Sequence, residues 1–398
     1  MSRRAIVTIV TRNYLAFARA LMRQCARHEP DADRFVIIAD RLPAGEAADV
    51  SGAEVVYGDE LGIDRWPRYA FQYTPFELTC ALKPHAIGLL MNGRGYGEIV
   101  YLDADMGLYG PLAPVWEALE KDSIVLTPHL HKPMPDGGLQ PYESLFAFAG
   151  TFNGGVCAVR DTDVGRAFTD WWKSMLKKFC IDDLHAGVFV DQRWLCLVPG
   201  LFPDVCVLRH AGVNAGHWSL LQSAWECRPT GAVSTSDVWV DGDPLLLFHF
   251  SLMTPRNPLA YVEAQNRVRV EDIPCVKRLV DGFHRDVHAA GYAECTAWQC
   301  RTERLDDGTP IRHAWREAIR RDEAAFADVE NPFDVSAPVD LRARYRAVEA
   351  IAHGWRNDWQ ATWEREQRLP ARLYGLWKRL RGAAGTCKRF VLRRVRRR

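Results

Sequence analysis

The sequence has no apolar run of the roughly 18–20 residues that a bilayer-spanning helix requires, so no transmembrane segment is expected from it. None of its eleven cysteines falls into a C-x-x-C pair or a zinc-type spacing. That pattern speaks against a structural zinc site or a secreted disulfide framework, and for small core thiols in a reducing compartment. No internal repeat is present. Acid is missing altogether from residues 368–398, which hold twelve Lys and Arg. The net +12 there leaves −11 on the rest of a chain whose total is +1.

What is present is a 398-residue chain with 48% hydrophobic and 25% charged residues, the balance of a globular protein with a substantial core. Its opening, "MSRRAIVTIVTRNYLAF", has the arginines of a signal peptide, but Thr8, Thr11, Arg12 and Asn13 interrupt the apolar stretch. It reads as a first strand, and the expected location is the cytoplasm. The basic tail interleaves its charges with Leu373, Tyr374, Leu376, Trp377, Leu380, Phe390, Val391 and Leu392. Basic helices with such a face lie on anionic membrane surfaces. Nucleic-acid binding and a partnerless solubilising tail are the competing explanations. The apolar stripe favours lipid, so a peripheral position on the inner face of the membrane and no nucleic-acid partner are expected.

The first half alternates strand and helix signals. Strands are expected at residues 5–10, 34–40, 53–57, 98–105, 123–128 and 151–160. Helices are expected near Tyr14–His28, over Pro75–Met91 with Pro75 in the first turn, and through "FTDWWKSMLKKF". This alternation predicts an α/β fold with a mostly parallel central sheet flanked by helices, whose ligands bind at the carboxyl ends of strands. The domain reading is a catalytic domain over 1–265, a helical or irregular extension over 266–340, and C-terminal helices over 341–398. Residues 328–340 have the prolines and turn formers of a linker. The stripe Tyr345, Val348, Ile351, Trp355, Trp359 and Trp363 has helical spacing and reads as packing.

Four D-x-D pairs occur: Asp31/Asp33, Asp103/Asp105, Asp161/Asp163 and Asp241/Asp243. The first lies in a polar loop, the third ahead of a helix that Asp or Thr would cap, and the fourth in the turn "VDGDP". Only Asp103/Asp105 stand at the end of a buried strand, "EIVYLDAD". A hard divalent cation there would neutralise both carboxylates; a solvated strand-end turn explains them equally well by position alone. His249 breaks the apolar run "LLLFHFSLMTP". Such a histidine is either a hydrogen-bonded core residue or a third ligand. Asp191 and Gln192 open the helical run "DQRWL", where Asp191 is either an N-cap or part of a site.

The ordered series "TRNYLA", "YTPFEL", "ALKP", "YLDAD", "FNGGV", "DQRWL", "GVNAGHW" and "FHFS" resembles glycosyltransferases of the GT-A fold. More narrowly it is similar to the retaining, family-8-like transferases such as glycogenin and bacterial galactosyltransferases, and most of all to bacterial transferases of surface-polysaccharide clusters. The resemblance covers roughly residues 5–320. It implies a Rossmann-like catalytic domain with Mn²⁺ or Mg²⁺ held by Asp103, Asp105 and His249 on the diphosphate of a UDP- or GDP-sugar. It implies that Thr8, Thr11, Tyr14 and Asp40 line the nucleoside, and that Lys83 faces the diphosphate or sugar. Asn153, Gly154 and Gly155 would cradle the sugar, Asp191 would bind its hydroxyls, and Asn214 would close the wall. Gln192 would lie beside the anomeric carbon on its β-face.

An amide is a poor nucleophile, so this arrangement favours same-face attack with retention, while Asp191 as a true nucleophile stays open. The acceptor would be a growing polysaccharide or a lipid-linked glycan. An inverting transferase, a nucleotidyltransferase and a silent scaffold are the alternatives. The family pattern after "HFS" is broken: Leu252 stands where glycine is common and the following lysine is absent, with Arg256 or Arg316 as substitutes.

Overall fold

The computed structural model describes residues 2–134, 143–183, 187–228, 237–252, 268, 272–321, 326–336 and 340–348. The basic tail, Arg256 and the stripe beyond Val348 lie outside the described residues. The chain divides into two compact units, Met1–Ile311 with Glu330–Phe333, and Arg312–Val329 with Asp334–Arg398.

The first unit is built on seven strands rich in Val and Ile: β1 (Arg4–Val10), β2 (Asp33–Ile38), β3 (Glu54–Tyr57), β4 (Glu98–Leu102), β6 (Ile124–Pro128), β7 (Phe152–Arg160) and β10 (Val205–Val207). Between them in chain order fall β5 (Met106–Leu108), β8 (Asp182–Asp183) and β9 (Val188–Phe189); β11 (Trp225–Cys227), β12 (Val238–Val240), β13 (Asp243–Pro244) and β14 (Leu247–His249) follow. The large sheet has the order β10-β6-β7-β4-β1-β2-β3. Every pair is parallel except the two that β7 makes with β4 and β6. This is the α/β architecture expected from the sequence.

Strand alternation divides the core between the two faces of the sheet. Ile6 and Val10 of β1 join Val36, Ile38, Val100 and Leu102 beneath helix α1 (Leu15–His28). Ala5, Val7 and Ile9 join Phe35, Ile37, Ile99 and Tyr101 on the other face, against helices from 70–91 and 163–179. Both faces being covered explains why these strands read as unbroken apolar runs.

The helix expected over Pro75–Met91 forms as two pieces, Pro75–Ala81 and Lys83–Gly88, followed by a π-turn at Leu89–Gly93. Pro84 lacks the N–H that would have carried the first piece onward. Thr74 caps the first piece, accepting from Glu77 N at 3.3 Å while Glu77 returns a bond to Thr74 N at 2.8 Å, a capping box with Pro75 in the first turn.

Of the segment read as a linker, Glu330–Phe333 belongs to the first unit, with Phe333 edge-on to Phe71 at 4.9 Å. In the second unit Trp315 stacks on Tyr345 at 4.7 Å. Arg344 grips Asp328 through both guanidinium nitrogens at 2.7 and 2.8 Å. Arg316 is buried within that unit. Among the described residues no helix is long and apolar enough to cross a membrane.

Candidate active site

Parallel strands send their carboxyl ends to one edge of a sheet, and antiparallel β7 brings its amino end to the same edge. A cleft of about 560 Å³ opens there. Asp103 follows β4, and its backbone N–H donates to Gly155 O on β7 at 2.8 Å. The chain then turns into β5, which pairs antiparallel with β14 so that His249 lies opposite Met106. Phe250 N donates to Asp105 O at 2.9 Å and locks that register. Two short strands thus carry His249 to the carboxylates.

His249 Nε2 lies 3.1 Å from Asp105 Oδ1 and 3.9 Å from Asp103 Oδ2. One ligand atom from each of the three residues falls within 4.8 Å of the others. The other oxygen of Asp103, Oδ1, accepts from Tyr101 OH at 2.5 Å and faces Lys83 Nζ at 3.2 Å. Two carboxylates and an imidazole suit a Mn²⁺-type ion, and Asp103 already divides its oxygens between the protein on one side and this cluster on the other. These residues therefore fit the divalent cation that the resemblance implies. Burial works against both charges, yet each partner prevails: His249 is held above its ordinary value by Asp105, and Asp105 below its own by His249.

Lys83 is almost fully buried and forms the second cluster. Its ammonium donates to Gly154 O at 2.9 Å and to Asp191 Oδ2 at 3.0 Å, with Asp103 as third neighbour, and it sits 4.7 Å over the Tyr101 ring. Burial favours neutral lysine, but Asp103 and Asp191 outweigh it and hold the ammonium well above its ordinary value. For Asp191 burial wins over Lys83, and its carboxyl is pushed up. Asp191 occupies the N-cap position of helix Gln192–Leu195 without making a side-chain capping bond; its carboxylate is spent on Lys83 instead. Gln192 is pinned at both ends of its amide, Oε1 accepting from Gly154 N and Nε2 donating to Ala149 O, each at 3.2 Å.

The wall between these clusters needs glycine. A Cβ on Gly154 would lie 2.4 Å from Asp191 Oδ2, and one on Gly155 would lie 2.6 Å from His249 Cε1. Both side chains press against bare backbone.

Of the residues singled out in the sequence, Thr11, Tyr14, Lys83, Asp103, Asp105, Asn153, Gly154, Gly155, Asp191, Gln192 and His249 all line this cleft. Thr8, Asp40 and Asn214 do not. Thr8 is wholly enclosed in β1. The Asp40 carboxylate accepts from Arg12 N and Arg301 N, both at 2.8 Å, and borders a separate pocket of about 220 Å³. Asn214 stands behind Asn153, donating to its Oδ1 at 3.1 Å and to Thr127 Oγ1 at 2.7 Å.

The cleft also takes in Asn13, Cys300 and Glu303, which the sequence did not point to. Asn13 adjoins two residues that were picked, and its Oδ1 accepts from Thr11 Oγ1 at 2.6 Å. Cys300 and Glu303 come from a distant segment with no motif, tied down by the bond from Arg301 N to Asp40. Leu252, in the place of a common glycine, adopts a left-handed φ of 69°, a conformation that costs leucine what glycine adopts freely.

Three solved glycosyltransferases are distantly similar to the chain. Galactosyltransferase LgtC, crystallised with donor and acceptor sugar analogs, is 16% identical and covers 79% of this chain and 99% of its own, with a TM-score of 0.43. Glycosyltransferase GlyE of Streptococcus pneumoniae TIGR4 is 12% identical, with 77% and 67% covered and a TM-score of 0.39. Mouse xyloside xylosyltransferase 1 is 14% identical, with 63% and 98% covered and a TM-score of 0.38. In sequence, the uncharacterized protein YfnF of Bacillus subtilis (strain 168) is 29% identical over 176 residues, which make up 44% of this chain. The chain spans 56% of the length of that curated relative. No family model matches.

Proposed function

We propose that this protein is a divalent-metal-dependent glycosyltransferase that moves a sugar from a nucleotide-diphosphate donor to a glycan or lipid-linked acceptor. The observation that carries this reading is the Asp103/Asp105/His249 cluster opening onto the same cleft as Asp191 and Gln192. Asp103, Asp105 and His249 would hold the cation. When bound, it supplies charge to stabilise a departing diphosphate.

The chain's own residues do the rest. Thr11, Asn13 and Tyr14 take the nucleoside end. Lys83 fixes Asp103 and Asp191 at a set separation and lends positive charge to an acidic wall. Gln192 holds the Gly154 peptide in place, and both glycines let the sugar approach the backbone. Asp191, tied to Lys83 through Oδ2, is a poor nucleophile and binds sugar hydroxyls. Retention then follows from same-face attack: the bond from the anomeric carbon to the phosphate oxygen breaks as the acceptor oxygen bonds on that face. The acceptor's proton passes to the departing phosphate oxygen. The basic segment 368–398 rests on an anionic membrane, near lipid-linked acceptors of surface-polysaccharide assembly.

Thermal unfolding with Mn²⁺ and a panel of UDP- and GDP-sugars tests the donor class. One sugar nucleotide should raise Tm only when Mn²⁺ is present; a panel with no Mn²⁺-dependent shift overturns the proposal. The anomeric proton of the product in NMR reports retention or inversion. Removal of residues 368–398 should abolish sedimentation with anionic vesicles and leave turnover on a soluble acceptor intact.

A further inference from the structure

The resemblance places Asn153 against the donor sugar, but its amide is consumed by the protein. Asn153 is the second residue of β7 and is 5% exposed. Its Oδ1 lies 2.8 Å from Gly155 N, 3.1 Å from Asn214 Nδ2 and 3.2 Å from His249 Nδ1. Its Nδ2 lies 3.0 Å from His129 Nε2. A backbone N–H only donates, so the atom facing Gly155 is the carbonyl oxygen. That one contact fixes the orientation of the amide without recourse to the electron count of N and O.

An amide oxygen only accepts. The nitrogen of His249 that faces it therefore carries a hydrogen, and the proton that His249 keeps when Nε2 binds an ion resides on Nδ1. The remaining nitrogen, Nε2, is turned toward Asp105 Oδ1 at 3.1 Å; without a cation it shares a hydrogen with that carboxylate, and with a cation it is the nitrogen that can offer a lone pair. On the far side, Asn153 Nδ2 donates to His129 Nε2, and that imidazole, pushed down to about 3 by burial, is a neutral acceptor. Asn214 braces the same oxygen from behind and is itself fully buried. Asn153 cannot rotate without breaking bonds on three sides.

We propose that Asn153 is a positioning residue of the cation site: it fixes the Nδ1–H tautomer and ring orientation of His249, and so sets the affinity for the ion. Metal-bound histidines elsewhere gain orientation and basicity from an acceptor on the other ring nitrogen. Here a neutral amide fills that position. The inference rests on the cation-site reading given above.

Two variants of the full chain separate the acceptor from the rest of the amide. Asn153→Leu and Asn153→Asp both lose the amide donor to His129, but only the leucine loses the acceptor facing His249. Mn²⁺ binding is read by electron paramagnetic resonance of the free ion, without any turnover. Asn153→Leu should bind about 10–100-fold more weakly, and Asn153→Asp should bind at least as tightly as the parent. Equal weakening of both, or of neither, overturns the positioning role. Parent protein that binds no Mn²⁺ overturns the cation site itself, which is a different outcome.

A measurement on the unaltered chain stands beside these in case the leucine variant does not fold. With ¹⁵N-labelled histidine and saturating Zn²⁺, which is diamagnetic, long-range ¹H–¹⁵N spectra report the tautomer of His249, assigned by the signal lost in His249→Gln. The hydrogen on Nδ1 is expected; a hydrogen on Nε2 overturns the inference.

Discussion

Asp103/Asp105 and Asp241/Asp243 are the same three-residue word in two settings. In the turn, Asp241 Oδ1 accepts from Ala224 N at 2.9 Å and Lys132 Nζ at 2.8 Å, and Asp243 Oδ2 accepts from Ala211 N at 3.1 Å. Backbone donors and a half-exposed lysine satisfy these carboxylates where they stand. At the end of β4, one oxygen of Asp103 goes to Tyr101 and Lys83. The other, with Asp105 Oδ1, is left toward a histidine and an open cleft. Carboxylates already satisfied by neighbouring N–H groups brace a turn. Carboxylates met by one buried ammonium and one basic nitrogen keep lone pairs to offer a cation.

The widest contrast is between the two lysines. Lys83→Ala leaves Asp191 buried and uncompensated and should cost about 3–5 kcal/mol, read from urea unfolding. Lys132→Ala breaks an ion pair whose side chains are 47% and 23% exposed and should cost about 0–1 kcal/mol. Similar losses would dissolve the distinction.

Next comes metal. Mn²⁺ at a hundred times its dissociation constant should stabilise the parent by about 2.7 kcal/mol. Asp105→Asn should lose that gain and Asp243→Asn should keep it, both measured by thermal unfolding.

Acid should separate the regions by a smaller margin. Burial pushes His129 down to about 3 and His217 down to about 4, so both are neutral when folded. The unfolded chain takes up protons below about 6.5. Their contribution is full above that pH and fades toward 4 and 3, with a slope of up to about 1.4 kcal/mol per pH unit for each. Burial opposes the charge on Asp241, but Lys132 and the Ala224 N–H prevail and hold its carboxyl below the ordinary value. The turn's contribution is therefore lost only below the ordinary aspartate range. Hydrogen exchange between pH 6.5 and 4 should loosen the strands around His129 while the 238–244 ribbon stays protected.

The smallest effect is Asp241→Asn, at about 1 kcal/mol of stability with Mn²⁺ affinity unchanged.

Much of this contrast was legible in the residues. The apolar run before Asp103 marked a buried strand, "VDGDP" marked a turn, and a lone histidine amid phenylalanines marked His249. The strand and helix order followed from periodicity, with Pro84 as the reason one helix broke. Longer-range partners were not legible. Nothing near Asp40 announces that its carboxylate is spent on Arg12 and Arg301, 28 and 261 positions away. Nothing near Lys83 announces Asp191. The reversed direction of β7 is likewise invisible in its pattern, and with it the pairing of Asn153 with His249. Side-chain partnerships across a sheet edge depend on register, which residue types alone do not encode.

The pairing of β5 with β14 has a consequence in time. These strands form a sheet of two, so among the described residues β5 has no other hydrogen-bonded strand. His249 is synthesised 144 positions after Asp105, which at ribosomal speeds of about 5–20 residues per second is roughly 7–30 s. During that interval the nascent chain has two of the three residues of the proposed cation site and an open strand edge. Lys83, made before either aspartate, is the one of their two basic neighbours already on hand. The proposed ion site therefore closes only after β14 has been made, and ion capture would report that β14 has docked on β5.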